Sequence, residues 1–190
     1  MKARMQTQNM VVSAMCLALA YVLPFLTGQI PEIGSMLCPM HLPVLLCGFF
    51  CGWKWGLGVG LCAPLLRSLT LGMPPFFPTA LCMAFELAVY GAVTGLLHKI
   101  FPKKKLCVYV SLLSAMVAGR LVWGAAMYIS MGIKGGAFTL NAFLAGAVFN
   151  AIPGIILQIV LVPAIVIFRS PLAKRAVRIR PVSSEKKDAN

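Results

Sequence analysis

Three ionisable side chains, Arg67, Glu86 and Arg120, lie inside long apolar stretches of the sequence. A charge in the hydrocarbon core of a bilayer is costly, so such residues usually pair with one another or line a path for a polar ligand. A guanidinium is suited to either role, because it binds a carboxylate through two parallel hydrogen bonds. The three residues therefore predict an internal charge network or a binding site for an anionic group.

The depth of each charge in its apolar run indicates which residues can meet. Glu86 lies ten residues from the start of one run and Arg120 eleven from the end of the next, depths of about 15 and 16 Å at the helical rise. Arg67 lies four residues from the end of its run, only about 6 Å deep. Glu86 and Arg120 are therefore predicted to pair, which leaves Arg67 as a surplus cation near an outward-facing cavity.

The surplus positive charge of Arg67 has three interpretations. We expect it to bind an anionic substrate group, most simply a carboxylate. A structural network of Arg67, Glu86 and Arg120 would account for the same charges, and so would an Arg67 side chain that reaches the outer headgroups. The Glu86–Arg120 pair is expected to be mainly structural, although both residues remain candidates for the binding site.

Aromatic and amide side chains are predicted near the same end of the molecule. Trp123 would stack on a ligand or lie in the aromatic belt at the membrane interface. Asn141 is expected at the outer mouth, and Asn150 would either hydrogen-bond across helices or contact the substrate. The full set of candidate substrate-binding residues is Arg67, Glu86, Arg120, Trp123, Asn141 and Asn150.

Small residues recur at helical spacing in the apolar runs. Ala14 and Ala18 are four residues apart, a spacing that allows a second helix to approach closely. We expect this pair to dock a partner subunit. A further set of small residues is expected to serve packing inside the bundle: Gly56, Gly58, Gly60, Gly91 and Gly95.

Sequence motifs of enzymes are missing from the chain. It contains no GxSxG, no HExxH and no phosphate-binding P-loop, the motifs that would indicate a hydrolase, a metalloprotease or an ATPase. His41 and His98 are isolated, and none of the seven cysteines forms a CxxC. A structural metal site usually needs four such ligands. The sequence therefore predicts no enzyme, no metal and no cofactor.

The composition is that of a membrane protein. Of the 190 residues 60% are hydrophobic and 11% charged, and the mean hydropathy is +0.90, whereas soluble domains are about half apolar and a quarter charged. The net charge of +13 raises the question of nucleic acid binding. The basic residues flank apolar runs without interleaved aromatic residues, so nucleic acid is not expected as a partner.

Six apolar runs predict an all-α bundle of six transmembrane helices. A helix needs about 20 residues to cross a bilayer, and the second and third runs are shorter, so they would also fit half-helices that enter and return. Prolines within the runs are tolerated where neighbouring helices satisfy the freed backbone groups. The predicted spans are 10–27, 40–51, 56–71, 76–97, 106–131 and 141–168.

The distribution of basic residues predicts the orientation. With six spans, one side receives 14 Lys and Arg residues and the other only Lys134. Basic loops remain in the cytoplasm, so both termini are expected there. Residues 1–170 would form the transmembrane substrate-binding domain, and residues 171–190 a basic, mobile cytoplasmic tail. That tail could bind anionic lipid, but a solvated end is the simpler expectation.

Three segments resemble one known family in the same order along the chain. They are 39–48, PMHLPVLLCG, at the start of the second span; 72–78, GMPPFFP, before the fourth; and 84–91, AFELAVYG, within it. Together with the AxxxA of Ala14 and Ala18, they are similar to the substrate-binding S components of energy-coupling factor (ECF) vitamin transporters. The resemblance extends over nearly the whole chain to about Arg169.

The resemblance implies a multi-pass protein of the bacterial plasma membrane that captures a vitamin with high affinity on its outer side. A transmembrane coupling subunit, docked at Ala14 and Ala18, and two cytoplasmic ATPase subunits would supply the energy. The surplus cation favours pantothenate as the substrate, while folate, riboflavin, cobalamin and queuosine precursors remain alternatives. A stand-alone secondary transporter or channel, or a membrane assembly factor, would fit the composition as well.

Overall fold

The computed structural model describes residues 2–26, 39–101, 105–133, 139, 143, 145 and 151–178. Over these residues the chain is all-helical, as the sequence predicts. A π-helical turn, Phe76–Ala80, precedes the fourth of the six α-helices whose bounds the structure describes. The helices are α1 Lys2–Leu26, α2 His41–Cys51, α3 Trp53–Leu71, α4 Leu81–Ile100, α5 Lys105–Ile133 and α6 Ile152–Arg178.

Three of the described helical stretches are long and apolar enough to cross a membrane: Arg4–Phe25, Phe76–Ile100 and Lys105–Ile133. The apolar helices His41–Cys51 and Ile152–Phe168 are shorter. Helix α6 begins at Ile152 and continues beyond the boundary predicted at residue 170. The number of spans, the orientation and the division at residue 170 stay predictions. Below, the outer end of the bundle means the end opposite the N-terminus of α1.

Helix α4 is the centre of the bundle, where it packs against α2, α3 and α5. Its contact with α3 is made backbone to backbone. A Cβ atom added to Gly91 would overlap the backbone of Gly56, and one added to Gly60 would overlap the backbone of Leu87. Small residues permit this close approach. The prediction that Gly58 packs in the same way is wrong, because a Cβ atom there would meet nothing within 4 Å.

The directions of the helices follow from these contacts. Gly56 lies opposite Gly91 and Gly60 opposite Leu87, so α3 and α4 are antiparallel. Helix α2 runs parallel to α4, and a Cβ atom on its Gly48 would overlap Gly91 and Thr94. As a result, the outer ends of α2, α3 and α4 lie together.

The outer connection from α3 to α4 departs from a regular helix. Gly72 ends α3 with a positive φ of 69°, and its N–H bonds to the Ser68 carbonyl at 3.0 Å. Phe77 then interrupts the π-helical turn with φ −121° and ψ 131°. Regular α-helix therefore begins at Leu81, five residues later than the fourth predicted span, in a segment whose prolines lack the N–H that a helix needs.

Candidate functional site

A single buried carboxylate joins three helices near the outer end. Glu86 of α4 is 1% exposed. Its Oε1 atom lies 3.2 Å from Nη1 of Arg120 on α5 and 3.4 Å from Nε2 of His41 on α2. We call His41, Glu86 and Arg120 the Glu86 triad. The predicted pairing of Glu86 with Arg120 is confirmed.

Close packing between α4 and α5 places the triad. A Cβ atom added to Gly119 would lie 2.8 Å from the Tyr90 ring and 3.2 Å from the Glu86 carbonyl oxygen. Glycine at this position therefore lets α5 approach α4 next to Arg120. Tyr90 in turn meets His41 edge to face, with ring centroids 5.1 Å apart. The tyrosine thus orients the imidazole that faces Glu86.

The triad leaves buried polar atoms without hydrogen bonds. Within the described part of the chain, both ring nitrogens of His41 and Oε1 of Glu86 have no partner of hydrogen-bonding geometry. Buried polar atoms normally form hydrogen bonds with protein or water. Leaving such an atom without a hydrogen bond costs about 1–3 kcal/mol. A polar ligand bound here would satisfy them.

The prediction that His41 is isolated is wrong. His41 is the first residue of α2. The count of residues from the start of the fourth predicted span placed Glu86 about 15 Å below the outer end, well below His41. The irregular turn Phe76–Ala80 shortens the helix above Glu86, which lies only five residues into α4, about 8 Å from its start. Parallel packing of α2 and α4 then brings the two side chains together. A histidine at the second residue of the predicted span 40–51 was the available signal.

Arg67 lies apart from the triad, at the contact between α1 and α3. It is 5% exposed, its Nη1 donates to the Tyr21 carbonyl at 3.0 Å, and its guanidinium carbon lies 5.2 Å from the centroid of the Phe25 ring. Arg67 of α3 is therefore held by the backbone and an aromatic ring of α1.

The register of α3 against α4 fixes how far Arg67 lies from Glu86. Continuing the facing pairs of that contact places Arg67 level with Ala80, six residues or about 9 Å outward of Glu86. The alternative in which Arg67, Glu86 and Arg120 form one network is therefore wrong. Among the described residues no carboxylate pairs with Arg67.

Trp123 lies one turn beyond Arg120 on α5, so the two side chains share a face of the helix. Its ring stacks on Phe143, with centroids 6.2 Å apart and an interplanar angle of 30°. Phe143 also contacts Gly124, where a Cβ atom would overlap its ring. Phe143 was not among the predicted site residues, because a phenylalanine in an apolar run gives no distinguishing signal.

The remaining predicted residues fall into two groups. Asn141 and Asn150 lie outside the described residues. Ala14 and Ala18 are both exposed on α1, while Ser13 and Cys16 are buried on its other face. The AxxxA pair therefore lies on an open helix face. No group of three or more His, Cys, Asp or Glu side chains that could hold a metal ion occurs in the described part of the chain.

Comparison with known proteins identifies the family. The model of the family described as "ECF transporter, substrate-specific component" matches residues 8–166, which is most of the chain and includes every described member of the site. Neither the curated proteins nor the solved structures gave a significant match. The resemblance drawn from the sequence is confirmed: the chain belongs to the family of ECF transporter substrate-specific components.

Proposed function

We propose that this subunit binds a small vitamin bearing a carboxylate at the Glu86 triad, and that pantothenate is its substrate. The observation that carries the proposal is the buried carboxylate of Glu86, which is shared between Arg120 and a histidine whose ring nitrogens find no hydrogen-bond partner among the residues that the structure describes. Buried charge and unsatisfied polar atoms at the outer end of a transport subunit are typical of a ligand site.

Arg120 is the proposed contact for the substrate carboxylate. A guanidinium has several N–H donors and can bind a second carboxylate while it holds the first. Glu86 and Arg120 balance each other, so the surplus positive charge near the outer end is that of Arg67, and an anionic substrate would balance it. Glu86 then has a positioning role, since it fixes the Arg120 guanidinium in the space between α4 and α5.

The other proposed contacts decide which molecule fits. His41 would hydrogen-bond a hydroxyl or amide group of the substrate, and Trp123 would pack against its apolar part. Asn141 and Asn150 are proposed to complete the pocket. Arg67, about 9 Å outward of Glu86 by helical rise, is proposed to attract the anion at the mouth of the site.

The orientation of the subunit is part of the proposal. Six spans with both termini in the cytoplasm place 14 basic residues inside and one outside, which agrees with the positive-inside rule. The Glu86 triad then lies towards the outer surface of the bacterial plasma membrane. Residues 1–170 form the substrate-binding domain and residues 171–190 the cytoplasmic tail.

The family implies partners that supply energy: ECF membrane and ATPase components. We propose that the exposed Ala14 and Ala18 pack against the transmembrane coupling subunit, which binds two ATPases. The double variant Ala14→Leu/Ala18→Leu should lose co-purification of the ATPases and keep substrate binding. Ala164→Leu, at an exposed alanine of α6, is the matched control and should keep both. Uptake by this chain alone in proteoliposomes would contradict a role as a dependent subunit.

The identity of the substrate is tested first by analysing what co-purifies with the protein and then by a binding assay. Mass spectrometry of the small molecules released from the purified protein should identify pantothenate or a related carboxylate. Binding of radiolabelled pantothenate should be lost in Arg120→Gln. It should be kept in Lys54→Gln, a change at the inner end of α3, far from the Glu86 triad. A co-purified molecule without an anionic group would refute the proposed chemistry, whatever the folding of the variants.

A further inference from the structure

The Glu86 triad carries no net charge while His41 is neutral. Glu86 and Arg120 form an ion pair, with 3.2 Å between Oε1 and Nη1. The three side chains are largely shielded from water, because those of His41 and Glu86 are 2% exposed and that of Arg120 is 16% exposed. Charges interact strongly in such surroundings, so a further charge brought into the triad needs a partner there.

An anionic substrate adds one negative charge to this site. The proposed function places its carboxylate against Arg120, so two carboxylates share one guanidinium. Like charges at such short range raise the free energy of the complex unless a proton or a cation compensates for one of them. Arg67 compensates only in part, because it lies about 9 Å further outward than Glu86 and the Coulomb energy falls with distance.

The imidazole of His41 is placed to supply the missing positive charge. Its Nε2 atom lies 3.4 Å from Oε1 of Glu86, and neither ring nitrogen has a hydrogen-bond partner among the described residues. A neutral imidazole has one N–H donor, whereas an imidazolium has two. The protonated ring can therefore donate from Nε2 to Glu86 and from Nδ1 to a hydroxyl or carbonyl oxygen of the substrate.

The helices packed against α2 offer no other group for this role near the triad. Helices α1, α3, α4 and α6 contact α2, and their outer halves contain only two charged residues, Arg67 and Glu86. The titratable side chains that remain there are thiols and phenols, which do not become cations. They are Cys16 and Tyr21 on α1, Cys62 on α3, and Cys82 and Tyr90 on α4.

We propose that His41 binds a proton that enters the Glu86 triad together with the anionic substrate, an inference that rests on the proposed function. The proton comes from the solvent and forms an N–H bond on the imidazole, so the occupied triad is again neutral. The coupling is reciprocal: if the anion favours protonation, protonation strengthens binding of the anion. Substrate affinity should therefore rise as the pH falls through about 8 to 5, the range in which histidine changes its charge.

Isothermal titration calorimetry with pantothenate, in buffers of different ionisation enthalpy, counts the protons that the purified protein takes up. At the pH of maximal uptake we expect about one proton per pantothenate and a loss of affinity of up to about tenfold per pH unit. His41→Gln should bind pantothenate more weakly, with no uptake and little dependence on pH. The chain has two histidines, and His98→Gln is the matched control that should keep the uptake.

NMR of ¹⁵N-labelled histidine gives a second measurement that leaves the triad intact. In His98→Gln the only imidazole is that of His41, and its nitrogen shifts distinguish a neutral ring from an imidazolium. Addition of pantothenate at the pH of maximal uptake should convert the neutral pattern into the imidazolium pattern. A ring that stays neutral overturns the inference, whether or not His41→Gln folds.

The calorimetry separates this inference from the function on which it rests. Uptake in His41→Gln equal to that of the unaltered protein would assign the proton to another group, such as Glu86, and overturn the inference. Binding of pantothenate without any proton uptake would also overturn it and leave the proposed function standing. Absence of pantothenate binding at every pH would overturn both.

Discussion

The two halves of α4 are built on different principles. In the inner half, Gly91 lies against the backbone of Gly56, and Gly95 against the backbone of Gly52 and Trp53. In the outer half, Glu86 reaches its neighbours through long polar side chains. The backbone contact of α4 with α3 extends from Gly95 as far as Leu87, while at Glu86 charged side chains lie between α4 and its other neighbours, α2 and α5.

If the Glu86 triad binds the substrate as proposed, this difference explains how a small bundle holds a ligand at one end without conducting it. The glycine contacts leave no room for a solute between α3 and α4 at the inner end. At the outer end, buried polar groups of α2, α4 and α5 converge on one carboxylate. Under the proposed function, the glycine contacts separate the Glu86 triad from the inner end of the bundle, and passage of the ligand depends on the ECF membrane and ATPase components.

The largest expected effect on stability comes from a substitution in the inner half of α4, where glycines contact the backbone of α3. Gly91→Ala adds a Cβ atom onto the backbone of Gly56 and should destabilise the protein by about 3 kcal/mol, the upper range for overpacking. Gly58→Ala makes the same chemical change where nothing lies within 4 Å, and should be neutral or stabilising because alanine is the better helix former. Thermal unfolding in detergent compares the two. Equal melting temperatures would show that α3 and α4 are not in backbone contact.

The polar half is tested by Arg120→Gln and Glu86→Gln. Each leaves one member of a buried ion pair without its partner, a change that costs about 3 kcal/mol. If that energy is lost from binding, affinity falls about 100-fold. The double variant should be less damaged than the sum of the single variants, since both remove the same contact. Substrate affinity by isothermal titration calorimetry is the measurement, and strictly additive losses would argue against a functional pair.

Arg67 tests whether the charge outside the triad serves the same ligand. Arg67→Ala should weaken substrate binding by about tenfold, or 1.4 kcal/mol, which is less than the loss in Arg120→Gln because Arg67 lies further out and is held by Tyr21. The affinity of the Arg67→Ala variant for the substrate is measured in membranes into which the variant inserts normally. Unchanged affinity would refute a substrate role and leave the contact between α1 and α3 as the function of Arg67.

The smallest effect is expected at the imidazole of the triad. His41→Phe keeps a ring against Tyr90 and removes the polar nitrogens, so affinity should fall several-fold, by about 1 kcal/mol. His98→Phe is the matched control, because His98 packs edge to face on Phe49, with ring centroids 5.2 Å apart, at the inner half. If both variants bind equally well, His41 supports the fold and does not contact the substrate.

Several features of this protein could be read from its sequence. Apolar content is summed along the chain, so it predicted an all-helical membrane protein without knowledge of any contact. The family was indicated separately, by the resemblance of the segments 39–48, 72–78 and 84–91 and of the AxxxA of Ala14 and Ala18. The pairing of Glu86 with Arg120 was also predicted, although the depth counted for Glu86 was too large because the turn Phe76–Ala80 is not regular α-helix.

Other features depended on the tertiary structure. The contact of His41 with Glu86 required the parallel packing of α2 on α4 and the break at Phe77. The acceptor of Arg67 is a backbone carbonyl of another helix, and such a carbonyl has no signature in the sequence. The rotation of α3 about its axis decides whether a glycine packs against a neighbouring helix, as Gly56 does, or faces open space, as Gly58 does. Hydrophobicity is a property of segments, whereas a site depends on register and rotation between helices, and only the folded bundle fixes those.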